Sequence, residues 1–343
     1  MAARWRIFQM SRLCLYFRRE PERDRWVAGD RLVRPLLRRI VRGRARVSGL
    51  GKVFSNLCLG LDRLGIRYAV NLPFATLSDD DRVGVIGLGR YALDGYRRAK
   101  PVVAGPGLMT HPSEWPDLCE RYPVVRYLQH STWANDVYKP YFGDKCAIWP
   151  VGIDTQAWAP GDPREKRFDF LIYDKIRWRR EQLVPNFLEP IRAELTRRKL
   201  SFVEIRYGQY DEQQYRQALR QSRAMLFLCE HESQGLACQE CLASGVPVLA
   251  WDQGWCLDPN RFAWGDPEIA ATSVPYFDDR CGMRFGGIEQ FPDKLSEFLG
   301  RRSAMAPRDY ILDNLTLEQS SRRYLQILDE AQNVANRAAL CAE

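Results

Sequence analysis

The 343 residues carry 51 lysines and arginines against 43 acids, a net charge of +8, with 45% apolar and 27% charged side chains. This is an ordinary globular composition, long enough for two domains of typical size. No apolar run approaches the roughly 20 residues that span a bilayer, and arginines interrupt MAARWRIFQMSR where a secretion signal needs an unbroken apolar core. The expectation is a cytosolic protein.

Charge is unevenly spread. Residues 1–52 hold 15 Lys/Arg against 4 Asp/Glu, so this segment is +11 and the remaining chain is −3. A solvated arginine-rich loop and a patch drawn to an anionic membrane surface or an acidic acceptor are both open readings. A peripheral place on the inner membrane face would follow from the second. Nucleic acid is not expected as a partner, because the segment lacks the glycine-flanked aromatic pattern of an RNA-binding sheet and no zinc-finger spacing occurs. Ten cysteines fit reduced, buried thiols. The one CxxC, Cys238–Cys241, lies within an apolar helix and lacks the second ligand pair of a zinc site. With three histidines in all, no metal site is expected.

In chain order, a strand is expected near Trp5–Gln9, then the basic segment, then a turn and helix over SGLGKVFSNLCLGLDRLGI with Leu57, Leu61 and Leu64 at helical spacing. RYAVNLP, DRVGVIG and PVVAGPG read as short strands ended by Pro or Gly. Three prolines and two glycines between Pro150 and Lys166 read as a linker. The α/β rhythm then restarts with strands FDFLIYD and FVEIRYG, a helix from Glu212 to Arg220, the strand AMLFLC, a helix, and VPVLAWD. LTLEQSSRRYLQILDEAQNVA reads as one long helix, capped by Thr316 and Gln319, with Tyr324, Leu328, Ala331 and Ala335 on its apolar stripe. The domains expected are 1–150 and 151–314, followed by a terminal helix over 315–343. Strands alternating with helices predict parallel sheets covered on both faces.

The stretch EHESQGLACQECLASGVPVLAWD, residues 230–252, is the most informative. It reads as strand end, loop, helix and strand, with Gly235 opening the helix and Gly245 closing it. In open α/β sheets ligands bind beyond the carboxyl ends of strands, and the amides at Gly235 suit a phosphate. Glu240 sits within a helix that is apolar nearly all round. A carboxylate there must be hydrogen-bonded, and vicinal sugar hydroxyls match its two oxygens. The competing reading makes Glu230 and Glu232 exposed loop acids and pairs Glu240 with an arginine.

GQYDEQQYRQALRQSRAMLFLCEHESQGLACQECLASGVPVLAWD resembles the donor-domain signature of family 4 retaining glycosyltransferases with the GT-B fold. Gly208, Glu232, Glu240, Ala243, Gly245, Pro247 and Val248 carry the match. WPVGIDTQAW at 149–158 is similar to that family's entry into the donor domain, and SGLGKV at 48–53 to its glycine-rich loop. The resemblance implies two Rossmann-like domains facing across a cleft with a long C-terminal helix, the first on the acceptor side and the second binding the donor. It implies that Glu240 binds the ribose of a nucleoside diphosphate sugar and that Glu232 contacts the transferred sugar. Gly235 and Leu236 would present amides to the donor, and Gly49 and Gly51 would let backbone approach the diphosphate. Lys175 and Arg180 fall where the family clamps that diphosphate with an Arg and a Lys, although Asp174 stands where a glycine is usual. His111, in PVVAGPGLMTHPSEW, is comparable with a histidine that assists at the transferred sugar, and His130–Trp133 resembles a later strand-Ser-x-Trp segment. SVPYFDDRCGMRF at 273–285 is expected to border the donor.

The function implied is transfer of a sugar from a nucleoside diphosphate donor to a hydroxyl of a saccharide, polysaccharide or lipid-linked glycan. Retention of configuration is implied by the family only. No cofactor is expected, and protein cations rather than a metal would hold the leaving group. The alternatives are a non-catalytic GT-B-like carbohydrate-binding or membrane-surface scaffold protein, and a related GT-B enzyme such as a sugar-nucleotide epimerase.

Overall fold

The structure, a computed structural model, describes residues 12–20 and 49–340, with side chains as far as Val334. The strand expected near Trp5–Gln9 and most of the basic segment lie outside the described residues. The described chain forms two compact units. One comprises the residues up to Leu128, Tyr141–Ala147 and the chain from Arg323 onward, and the other Gln129–Pro140 with Ile148–Arg322.

The first unit is built on a six-stranded sheet of β1 (Leu13–Arg18), β2 (Tyr68–Val70), β3 (Arg82–Gly87), β4 (Val102–Ala104), β5 (Val124–Gln129) and β6 (Cys146–Ile148), in the order 2-1-3-4-5-6. Its opening strand is LCLYFR, where Leu13, Cys14 and Leu15 are fully buried. Gly84 in β3 is there for space, since an added methyl group would overlap the hydroxyl of buried Tyr324 on the long helix Leu317–Leu340. Further along the same helix, Asp329 pairs with Arg82 of β3 at 2.9 Å.

The second unit is built on β7 (Phe168–Lys175), β8 (Phe202–Arg206), β9 (Ser222–Cys229), β10 (Val248–Trp251) and β11 (Gly282–Phe285), in the order 11-10-9-7-8. All its pairings are parallel. Side chains alternate between two cores, one on each face: Met225, Phe227 and Cys229 enter one, and Ala224, Leu226 and Leu228 the other. That period of two on a doubly covered sheet explains why AMLFLC reads as unbroken apolar sequence. In each sheet the second strand lies on one side of the first and the third on the other. Topological switch points, where such sheets bind ligands, therefore lie between β1 and β3 and between β7 and β9.

The first part of the stretch read as a linker, up to Trp158, is packed into the second unit, and Ala159–Lys166 runs over its surface. Trp149, Val151 and Ile153 are fully buried, and Ile153 bridges Thr316. At Gly152 an added Cβ would stand 2.6 Å from the Thr316 carbonyl oxygen, so its glycine serves close approach rather than flexibility. Thr316 and Gln319 form the expected reciprocal cap, with Thr316 N–H donating to Gln319 Oε1 at 2.9 Å and Gln319 N–H to Thr316 Oγ1 at 3.2 Å. Cys238 and Cys241 are both buried, and burial pushes their thiols well above the ordinary value. No described helix is long and apolar enough to cross a membrane.

Candidate functional site

Several of the expected site residues of the second unit lie at or just beyond the ends of β7 and β9, the strands that flank its switch point. β9 ends at Cys229, and the loop Glu230–Gln234 leads to Gly235, whose φ of +79° costs a glycine little. The helix Leu236–Ala243 starts there. The loop is fastened on two sides: Glu232 N–H donates to Thr272 O at 3.0 Å, and Trp133 Nε1–H donates to Glu232 O at 2.9 Å. Ser273 O and Pro275 lie beside Gly235, so the start of 273–285 borders this loop.

Lys175, the last residue of β7, forms an ion pair with Glu232, their side chains 11% and 15% exposed. Burial alone would lower the lysine pKa, but the Glu232 carboxylate outweighs it and the net shift is upward. Burial alone would raise that of Glu232, and Lys175 turns the net shift downward. The carboxylate thus keeps its charge until pH falls well into the acid range, and the ammonium until pH rises past its ordinary value. The pair is ionised throughout the neutral range. The Lys175 Nζ also lies 4.4 Å from the ring centre of Tyr207, just after β8.

Arg180 is held elsewhere. Its guanidinium donates to both oxygens of Asp174, whose side chain is fully buried, and at 3.0 Å to Ile176 O. The acid in place of the expected glycine is what binds it. The backbone between these residues is pinned by Glu230, which is completely buried. Its Oε1 accepts from Arg177 N–H at 2.7 Å and Trp178 N–H at 2.9 Å, while Oε2 has no hydrogen-bond partner among the described residues. Burial raises the pKa of this carboxyl in spite of the two amides. Trp178 stacks on His231 with ring centres 5.0 Å apart, and Trp133 meets the same imidazole edge-on at 5.7 Å.

Burial lowers the pKa of His231, with Arg177 adding to the effect, to about 4. His130, which donates from Nδ1 to Trp149 O at 3.2 Å, is lowered by burial to about 4 as well. The unfolded chain takes up these protons near pH 6.5 and the native chain does not. Stability should hold above that pH and decline as pH falls toward 4, by about 1.4 kcal/mol per unit for each histidine. Urea unfolding compared at pH 7.5 and 5.5 measures it, and His130→Asn should remove about half of the decline. A midpoint unchanged between the two pH values would contradict both assignments.

Glu240 is 4% exposed in the helix after Gly235. Its charge reaches Tyr210, whose phenol is pushed up to about 12, by burial first and by Glu240 in addition, while Lys175 opposes the shift. Tyr210 thus feels both the lysine at the end of β7 and the glutamate of the helix, and it is hydrogen-bonded to Tyr173 at 2.5 Å. Beneath the loop, Gln234 and Gln239 form a buried amide network that also takes the Val151 N–H, at 2.9 Å. Lys175 and Glu232 are thus paired beyond the ends of β7 and β9, Gly235 and Leu236 open the helix that carries Glu240, and Arg180 is bound to Asp174.

No protein-family profile and no curated protein sequence matches the chain. Solved structures do. AviGT4, a glycosyltransferase involved in avilamycin A biosynthesis, aligns at 15% identity over 93% of this chain and 98% of its own, with a TM-score of 0.56. WaaB, a lipopolysaccharide outer core galactosyltransferase in its apo form, aligns at 11% over 93% and 99%, with a TM-score of 0.55. TarM of S. aureus, in complex with fondaparinux, α-GlcNAc-glycerol and UDP, aligns at 10% over 80% and 58%, with a TM-score of 0.52. The fold is GT-B. At such identities the likeness is one of fold, and function must come from the site itself.

The other expected site residues belong to the first unit of the GT-B chain. Gly49 and Gly51 form the first turn of the helix Gly49–Arg63 rather than an open loop. His111 is buried, and its Nδ1 accepts from Ser113 N–H at 3.2 Å with Ser113 Oγ at 2.8 Å, which places the ring proton on Nε2. Among the described residues a crevice of about 340 Å³ opens at the switch point of β1 and β3, its lining including Glu20, Arg90, Tyr91, Asp94 and Trp115. Sequence reasoning missed Glu230, Trp178 and Tyr210. The first two take their meaning from a contact across 52 positions. Only the aromatic density of RYGQYDEQQY could have marked Tyr210.

Proposed function

We propose that the protein is a glycosyltransferase using a nucleoside diphosphate sugar, with a saccharide, polysaccharide or lipid-linked glycan as acceptor. One observation carries this reading: a buried Lys–Glu pair stands at the switch point of one parallel sheet, next to a glycine-started helix that carries a second buried glutamate. Each has a role in such a reaction. Lys175 leaves Glu232 for the donor's diphosphate and stabilises the charge that develops as the sugar departs. The released Glu232 carboxylate accepts from hydroxyls of the transferred sugar. Glu240 accepts from the ribose, and the amides at Gly235 and Leu236 face the phosphates or sugar. The acceptor hydroxyl attacks the anomeric carbon, with retention as the stereochemical reading. In the first unit, the flat rings of Tyr91 and Trp115 beside Glu20 and Asp94 suit an acceptor sugar. His111, bearing its proton on Nε2, is the donor of a hydrogen bond to the transferred sugar. UDP in the TarM complex supports the donor class.

The test is a panel of UDP-, GDP- and ADP-sugars titrated calorimetrically into the purified protein, followed by nucleotide release with and without oligosaccharide acceptors. At least one donor should bind, and Glu240→Ala should weaken it about 10- to 100-fold through lost hydrogen bonds to a charged acceptor. Failure of every donor to bind removes the transferase reading. Binding that Glu240→Ala leaves untouched removes the ribose assignment alone.

A further inference from the structure

The proposed donor seat needs more positive charge than Lys175 supplies, and sequence resemblance assigns the second cation to Arg180. The geometry points to Arg177 instead: we infer that Lys175 and Arg177 hold the diphosphate, and that Arg180 is the structural partner of Asp174. This inference rests on the transferase reading above.

Four cations lie at or just past the end of β7: Lys175, Arg177, Arg179 and Arg180. Both carboxylate oxygens of the fully buried Asp174 are taken up by Arg180, which bonds to a backbone carbonyl as well. Drawing Arg180 to a ligand would leave Asp174 buried and uncompensated, which is strongly destabilising. Arg179 is exposed in left-handed backbone at a φ of +48°. Arg177 differs from both. Its side chain is exposed, its guanidinium carbon sits 4.1 Å from the Trp178 ring centre, and its Nη2 reaches within 3.5 Å of His231 O. The head group therefore lies beside the loop that bears Glu232, the partner of Lys175. Its field favours the charged form of Glu232 and disfavours that of His231.

The placement is built rather than incidental. Glu230, itself completely buried, grips the amides of Arg177 and Trp178, and Trp178 is stacked on His231. A buried carboxylate thus fixes the backbone from which a solvent-facing guanidinium projects. A planar guanidinium matches two phosphate oxygens at once, which an ammonium cannot do. Glu230 is on this account a positioning residue that acts through Arg177.

The experiment titrates UDP, GDP and ADP into the wild-type protein and its variants at two salt concentrations, alongside the corresponding free nucleosides. Arg177→Ala should weaken the diphosphate that binds about 10- to 100-fold, flatten its salt dependence and leave nucleoside binding unchanged. Arg177→Lys should recover part of the loss. Glu230→Ala should weaken diphosphate binding similarly, with Glu230→Gln restoring it through the oxygen that accepts both amides. Removing both charges of the other pair, by Asp174→Asn with Arg180→Gln, should change diphosphate affinity less than threefold. If the wild type binds none of the three, the transferase reading fails and this inference with it. If the wild type binds and Arg177→Ala binds equally well, the transferase reading stands and this inference is overturned. A loss in the Asp174/Arg180 double variant matching that expected for Arg177→Ala, at unchanged thermal stability, overturns it too.

Discussion

Lys175→Ala is expected to lower kcat/KM by about 100- to 1,000-fold with the donor that the panel identifies, the scale of removing one preorganised charge from a developing oxyanion. The same change should also destabilise the protein. Glu232 is only 15% exposed, and stripping its partner leaves a nearly buried carboxylate to be solvated poorly or protonated, at a cost of about 3 kcal/mol. The two effects separate in a double variant. Lys175→Met with Glu232→Gln should regain most of the thermal stability, because no lone charge remains, yet should recover no activity. Rate and melting temperature measured on the three variants give the answer. A double variant as active as the wild type would mean that neither charge takes part in transfer.

Gly282→Ala is expected to have the larger effect on folding. Gly282 begins β11 with a φ of +147°, opposite Val248 of β10. A Cβ there would overlap the Val248 carbonyl group, so backbone strain and steric conflict act together where two strands of the second sheet meet. A loss of more than about 4 kcal/mol falls in the range reserved for such combined faults, and in this unit it should lower the melting temperature by about 10 °C or more. Differential scanning calorimetry of the soluble fraction tests this. A variant melting within 2 °C of the wild type would show that β11 can shift to accommodate the methyl group.

What could be read in advance was local. The buried strand AMLFLC, the helix opened by Gly235 and closed by Gly245, and the Thr316–Gln319 cap each lie within a few neighbouring residues, where periodicity and capping chemistry act. Glu240 was visible because an acid within an apolar helix demands an explanation, and Glu232, in the polar loop EHESQG, stood out through the family resemblance. The commitment of Arg180 to Asp174 was less visible, since it depends on how the chain turns as it leaves β7. Glu230 looked like a loop acid because its partners, the amides of Arg177 and Trp178, lie on another strand end. The start of the stretch Pro150 to Lys166 looked like a linker because proline and glycine mark close packing, as at Gly152, as readily as they mark freedom. LCLYFR, between clusters of arginine, became recognisable as a strand only through its partners β2 and β3.

Tyr324 beside Gly84 has a consequence for biosynthesis. A chain emerges from the ribosome at about 5–20 residues per second, and domains commonly fold in that order. Here β1 to β6 are translated before any of the second sheet, while the aromatic plug over β3 and the acid that meets Arg82 come after all of it. The earlier-made sheet must therefore persist with one side unsealed while its neighbour is completed, and nascent-chain intermediates halted before residue 323 should be the species that chaperones recognise.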